Sequence, residues 1–134
     1  MVRVTPCLMF DGNAAEAIAL YLEAFPEAML LEKSVYGADA KSMHGKVRSA
    51  TLAIYGNNIR IIDSPVTHGF AFTPAVSLYI ELTDESALFH AYETLAKRGT
   101  VLLAIDSYPH SPNYGWLTDR FGVSWQISQP DAAS

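Results

Sequence analysis

Cysteine is almost missing from this sequence. Cys7 stands alone among 134 residues, so the chain can close no internal disulfide and build no cysteine-based metal knuckle. Charge is also thin: 17% of residues are charged, with nine Lys and Arg scattered against fourteen Asp and Glu and a formal net charge of −5. That balance leaves no basic stripe for nucleic acid or an anionic membrane surface, and neither partner is expected. No apolar run of about 18 residues is present to span a bilayer, and MVRVTPCLMF lacks the basic-then-apolar pattern of a signal peptide. A reducing cytoplasm is the expected compartment. GxSxG, Walker and dinucleotide fingerprints are missing too, which leaves hydrolase and phosphate chemistry without support. The histidines His44, His68, His90 and His110 are far apart, and no pair has the spacing that puts two ligands on one helix or strand face.

What the chain does have is apolar surface. Half the residues are hydrophobic, enough for one domain with a single good core. Thr5 to Phe10 alternates like a strand. NAAEAIALYLEAF then shifts to helical spacing, with Ala14, Ala17, Ile18, Tyr21, Leu22 and Phe25 as the buried stripe. Asn13 is the expected N-cap, with Glu16 completing a capping box, and Pro26 ends the helix. Strands follow at Met29 to Tyr36, Val47 to Tyr55 and Ile59 to Asp63, the last two joined through Gly56, Asn57 and Asn58.

After a loop from Ser64 to Pro74 the plan repeats. Ala75 to Leu82 reads as a strand, Thr83 or Asp84 as a cap, and Glu85 to about Lys97 as a helix stopped by Gly99. Leu88, Ala91, Tyr92, Leu95 and Ala96 form its stripe. Strands at Val101 to Asp106, Trp116 to Asp119 and Val123 to Ser128 complete the set. Two copies of strand, helix, strand, strand, strand, at about 1–66 and 75–130, make this an α+β chain with an internal repeat.

A four-stranded sheet with a helix on one face leaves the other face open, and two such units can curl these faces together into a cup. Alternation would put Leu8 and Phe10 under the first helix and Val76, Leu78, Ile80 and Leu82 under the second. Thr5, Cys7, Met9, Ser49, Thr51, Ser77, Tyr79, Glu81, Ser124 and Gln126 would then line the cup. Glu81 points inward from mid-strand, where burial could make it a general base; a solvent-exposed ion pair with Arg48, Arg60 or a lysine is the alternative. Asp63 reads as a strand-end or turn cap. Tyr79, Tyr108, Tyr114 and Trp116 could line the mouth. SYPHSPNYG, Ser107 to Gly115, reads as a lid or a plain connector.

LMFDGNAAEAIALYLEAFPEA, IIDS from Ile61, and GWLTDRFGVSWQI from Gly115 together resemble the PhnB-like group named for 3-demethylubiquinone-9 3-methyltransferase. That group lies within the glyoxalase, bleomycin-resistance and extradiol dioxygenase superfamily, the vicinal oxygen chelate fold. The resemblance spans nearly the whole chain. It implies two βαβββ modules forming an open cup-like barrel, and a homodimer. Metal enzymes of the superfamily use four side chains, and by strand position these fall at Thr5, Ser49, Ser77 and Gln126, none of them an imidazole or carboxylate. Neither metal nor other cofactor is therefore expected.

The reading favoured by these residues is a binding protein for a small organic ligand, held by Thr5, Ser49, Ser77, Tyr79, Trp116 and Gln126. Two alternatives stand beside it. One is an enzyme of the superfamily, either a metal-dependent lyase, isomerase or dioxygenase, or the methyltransferase of the family name. The other is a dimeric protein-interaction domain. Methyl transfer has little support, because FDGNAAEA offers one glycine where a glycine-rich cofactor loop would be needed.

Overall fold

The computed structural model describes residues 1–131. It forms two compact units, Met1–Gly69 and a second beginning at Phe70. The first contains β1 (Cys7–Phe10), α1 (Ala14–Ala24), β2 (Met29–Val35), β3 (Val47–Ile54) and β4 (Asn57–Asp63), with short 3-10 turns over Ala38–Met43. The second contains β5 (Ser77–Glu81), α2 (Glu85–Ala96), β6 (Thr100–Tyr108), β7 (Ser111–Thr118) and β8 (Ser124–Ser128). Two four-stranded sheets result, ordered β1-β4-β3-β2 and β5-β8-β7-β6. In each, the first strand runs parallel to the last and the other pairings are antiparallel. Among the described residues no helix is long and apolar enough to cross a membrane.

In the first module, Leu8, Ala50, Leu52, Ile59 and Ile61 share the sheet face that α1 covers, since strand neighbours directly opposite one another point the same way. Ala50, Leu52, Ile61, Tyr21 and Phe25 are fully buried there. The chain enters α1 through Gly12 at φ +94°. Asn13 occupies the cap position but makes no side-chain capping bond. The Asp63 carboxylate does that work from the end of β4, accepting from Gly12 N at 3.0 Å, Ala14 N at 2.9 Å and Val47 N at 2.9 Å while only 1% exposed. One carboxylate thus ties β4, the helix start and β3 together.

The hairpin between β3 and β4 turns on Tyr55 and Gly56, at φ 49° and 81°, with Ile54 paired to Asn57. Two successive positive φ angles are the type I′ geometry that matches strand twist, so β4 begins at Asn57 and not at Ile59. β1 is shorter than its alternation suggests. Pro6 brings no N–H to the ladder, although its carbonyl accepts from Arg60 N, and Thr5 lies outside the strand.

In the second module, Leu78, Ile80, Leu117, Trp125 and Ile127 lie on the α2 face. Gly115 lies on it too, where a Cβ would come 2.7 Å from the Tyr92 ring. Val76 does not join them: it precedes β5 and is 78% exposed. Here the helix is capped locally, with Asp84 accepting from Ser86 N at 3.2 Å. The residue in the left-handed conformation after α2 is Arg98, at φ 59°. Gly99 is needed for a different reason, since any Cβ there would collide with the Thr118 carbonyl oxygen.

Two expectations for this module are corrected. Ser107 to Gly115 is neither lid nor free connector, because β6 and β7 run through it and turn only at Pro109 and His110, with Tyr108 paired to Ser111. Asp119, 3% exposed, organises the β7–β8 turn. Its carboxylate accepts from Phe121 N, Val123 N and the Trp125 indole, and Gly122 supplies the positive φ of 91°.

Candidate functional site

The residues on the face of the second sheet opposite α2 follow from its register. Ser77 lies opposite Ser124, Tyr79 opposite Gln126, and Trp116 also opposite Gln126, so these side chains emerge together, away from α2. Leu103 stands beside Trp116 on the neighbouring strand. Four of the residues expected to hold a ligand, Ser77, Tyr79, Trp116 and Gln126, are thus brought onto one face by strands β5, β7 and β8.

Their polar atoms are already connected. The Trp116 indole Nε1–H donates to Ser124 Oγ at 2.8 Å, and Ser124 Oγ lies 2.7 Å from Ser77 Oγ. The Tyr114 hydroxyl donates to Gln126 Oε1 at 2.7 Å. Aromatic rings close one end of the face: Tyr108 meets Tyr114 edge-on at 5.5 Å, and His110 meets Tyr114 at 5.2 Å. Burial pushes the Tyr114 phenol above its ordinary pKa, and the nearby phenols of Tyr79 and Tyr108 push it further the same way. Tyr114 is therefore held as a neutral donor. Tyr79 is 51% exposed and offers its ring to solvent.

The other two expected residues lie in the first module. Ser49 accepts from Arg60 Nη2 at 2.9 Å and donates to Glu32 Oε1 at 3.3 Å, while Thr51 also donates to Glu32 at 3.1 Å. A register shift between Leu30 and Glu32 places Glu32 opposite Thr51 on this face. Its chemistry is ionic, unlike that of the second sheet. Thr5, half-buried ahead of β1, lies apart from these strands' ladders.

The four positions implied for a metal do not suit one. Gln126 Oε1 is engaged by a phenol, Ser77 by Ser124, Ser49 by Arg60 and Glu32, and Thr5 is outside β1. Neutral oxygens already committed to hydrogen bonds are poor donors for a transition metal. Among the described residues no three His, Cys, Asp or Glu side chains are grouped to hold one.

Glu81 ends β5 and is exposed, so it lacks the burial that a general-base role would draw on. His44, His90 and His68 are also exposed, His68 with its Nε2 2.9 Å from Ser64 Oγ in the loop after β4. His110, in the β6–β7 turn, is the one histidine at the aromatic end of the second face. Ser124 and Tyr114 were expected on the cup lining and at its mouth; what pattern reading did not give is Ser124 as the bridging hydroxyl and Tyr114 as the partner of Gln126. The spacing of Tyr114 and Trp116, two apart in one strand, was the available signal for the second.

The 3-demethylubiquinone-9 3-methyltransferase model matches residues 2–128. A PhnB protein structure from Bacillus cereus is 38% identical, with a TM-score of 0.89 over 96% of this chain and 99% of that one. An uncharacterized protein of Mycobacterium bovis is 31% identical over 135 residues, covering 95% of this chain and 82% of its own length. A glyoxylase/bleomycin resistance protein/dioxygenase domain from Frankia shares the fold at 11% identity, with a TM-score of 0.72 over 100% of this chain and 96% of that one. Family match, βαβββ repeat and structural likeness agree: the chain belongs to the 3-demethylubiquinone-9 3-methyltransferase, or PhnB-like, family, and its fold is that of a glyoxylase/bleomycin resistance protein/dioxygenase domain.

Proposed function

We propose that the protein binds a small organic ligand on the face of the second module opposite α2, through Ser77, Tyr79, Trp116 and Gln126, without a catalytic metal. One observation carries this reading. Tyr114 and Ser124 hold Gln126, Trp116 and Ser77 in place through hydrogen bonds of 2.7 to 2.8 Å, an arrangement ordered before any ligand arrives. Preorganisation of this kind lowers the entropy lost on binding. Methyl transfer is disfavoured by a second feature. The Gly12 and Ala14 amides at the start of α1 are taken by Asp63 and are not open to an anionic cofactor group.

The reading extends to a homodimer of one-domain chains in the cytoplasm. Support for a partner copy comes from the edge strands, where Met29, Leu30, Leu31 and Val35 of β2 and Val101, Leu102 and Leu103 of β6 are all exposed. Light scattering should give twice the chain mass, and unfolding should be a single transition reported alike by both tryptophans. For the site, Gln126→Leu should fold normally and lose ligand binding. Unchanged affinity in that variant removes Gln126 from the site.

A further inference from the structure

We infer that the second-module face selects planar aromatic molecules bearing a hydrogen-bond acceptor, such as an aryl ketone or amide; this rests on the binding role proposed above. Tyr114 donates to Gln126 Oε1, which leaves the two Nε2 protons of Gln126 directed away from that bond.

The serine pair resolves in the same direction. Ser124 is 2% exposed and its oxygen already accepts the Trp116 indole proton. Were Ser77 the donor across the 2.7 Å contact, the Ser124 hydroxyl proton would be buried without an acceptor. Ser124 is therefore the donor, and the half-buried Ser77 keeps a proton to offer. The protons left unspent at the centre of the face, two on Gln126 Nε2 and one on Ser77 Oγ, are carried by neutral groups beside the exposed ring of Tyr79. A flat ring stacking on Tyr79, with a carbonyl oxygen over Gln126 and Ser77, uses both features.

A cation is the competing ligand. The aromatic rings attract one, and the exposed carboxylates of Glu81 and Asp106 flank the face. Three probes of similar ring size separate these possibilities: acetophenone, toluene and phenyltrimethylammonium, each titrated while proton–nitrogen spectra are recorded. Trp116 Nε1–H and the Gln126 amide report the face, and Trp125 Nε1–H, anchored to Asp119, serves as the internal control.

The expected result is that acetophenone shifts the Trp116 and Gln126 signals, leaves Trp125 in place, and binds about fivefold or more tighter than toluene, the effect of one extra neutral hydrogen bond. That advantage should vanish in Gln126→Leu and shrink in Ser77→Ala, with the Trp125 signal confirming that each variant is folded. Toluene equal to acetophenone, or phenyltrimethylammonium the tightest of the three, overturns the inference and leaves the binding role intact. If none of the probes moves Trp116 or Gln126, both the inference and the binding role fail.

Discussion

The two modules share one strand order and differ in how they hold a helix and what they show on the open face. In the first, a buried carboxylate from the far end of β4 caps α1, whereas in the second Asp84 caps α2 from the adjacent position. The first open face carries Glu32 and Arg60 around Ser49, the second phenols, an indole and an amide around Gln126. Alternating apolar positions suffice to build either sheet on its helix. The fold therefore leaves the facing residues free to diverge.

The largest expected effect breaks the second module itself. Trp125→Ala removes a fully buried ring and its hydrogen bond to Asp119, and should destabilise by about 3 to 5 kcal/mol in denaturant titration. Near-normal stability would show that Trp125 lies off the helix face. The capping contrast comes next. Asp63→Ala leaves three backbone N–H groups without their acceptor and should cost about 3 kcal/mol or more, counting about 1 to 3 for each buried orphan. Asp84→Ala, which removes one exposed local cap, should cost about 1 kcal/mol. Equal losses would erase the distinction between the two helix starts.

A smaller effect lies in alkaline solution. Because the folded protein raises the Tyr114 pKa, it binds that proton more tightly than the unfolded chain does. The stability tied to this group is whole below about pH 10 and falls as pH rises beyond it. Tyr114→Phe should flatten that alkaline decline, and a decline of unchanged slope would place its origin elsewhere. Smallest of all, Ser49→Ala on the ionic face should leave stability within about 0.5 kcal/mol of the parent, as surface substitutions usually do.

Much of the scaffold could be read directly. The alternation of Ser124, Trp125, Gln126 and Ile127 assigned each to its correct face, and most of the two helix stripes is buried, although Leu22, Tyr92 and Ala96 are only half-buried and Leu20, Ala24 and Thr94 are buried instead. Long-range partners could not be read. Asp63 serves amides 49 and 51 residues earlier in the chain, and nothing local in IIDS distinguishes that from a turn cap. The strand that carries Tyr114 was hidden because SYPHSPNYG is rich in turn formers, yet only Pro109 and His110 turn there; pairing with β6 and β8 overrides local preference for the rest. Val76 looked like core because it extends an apolar run, but the strand begins one residue later.

The most direct measurement is a pair of acetophenone titrations followed by proton–nitrogen spectra, one on Gln126→Leu and one on Ser49→Ala. Acetophenone affinity should fall about fivefold or more, to that of toluene, in the first variant and keep its parental value in the second. Loss confined to Ser49→Ala, or equal loss in both, would contradict a ligand site on the face of the second module that carries Gln126.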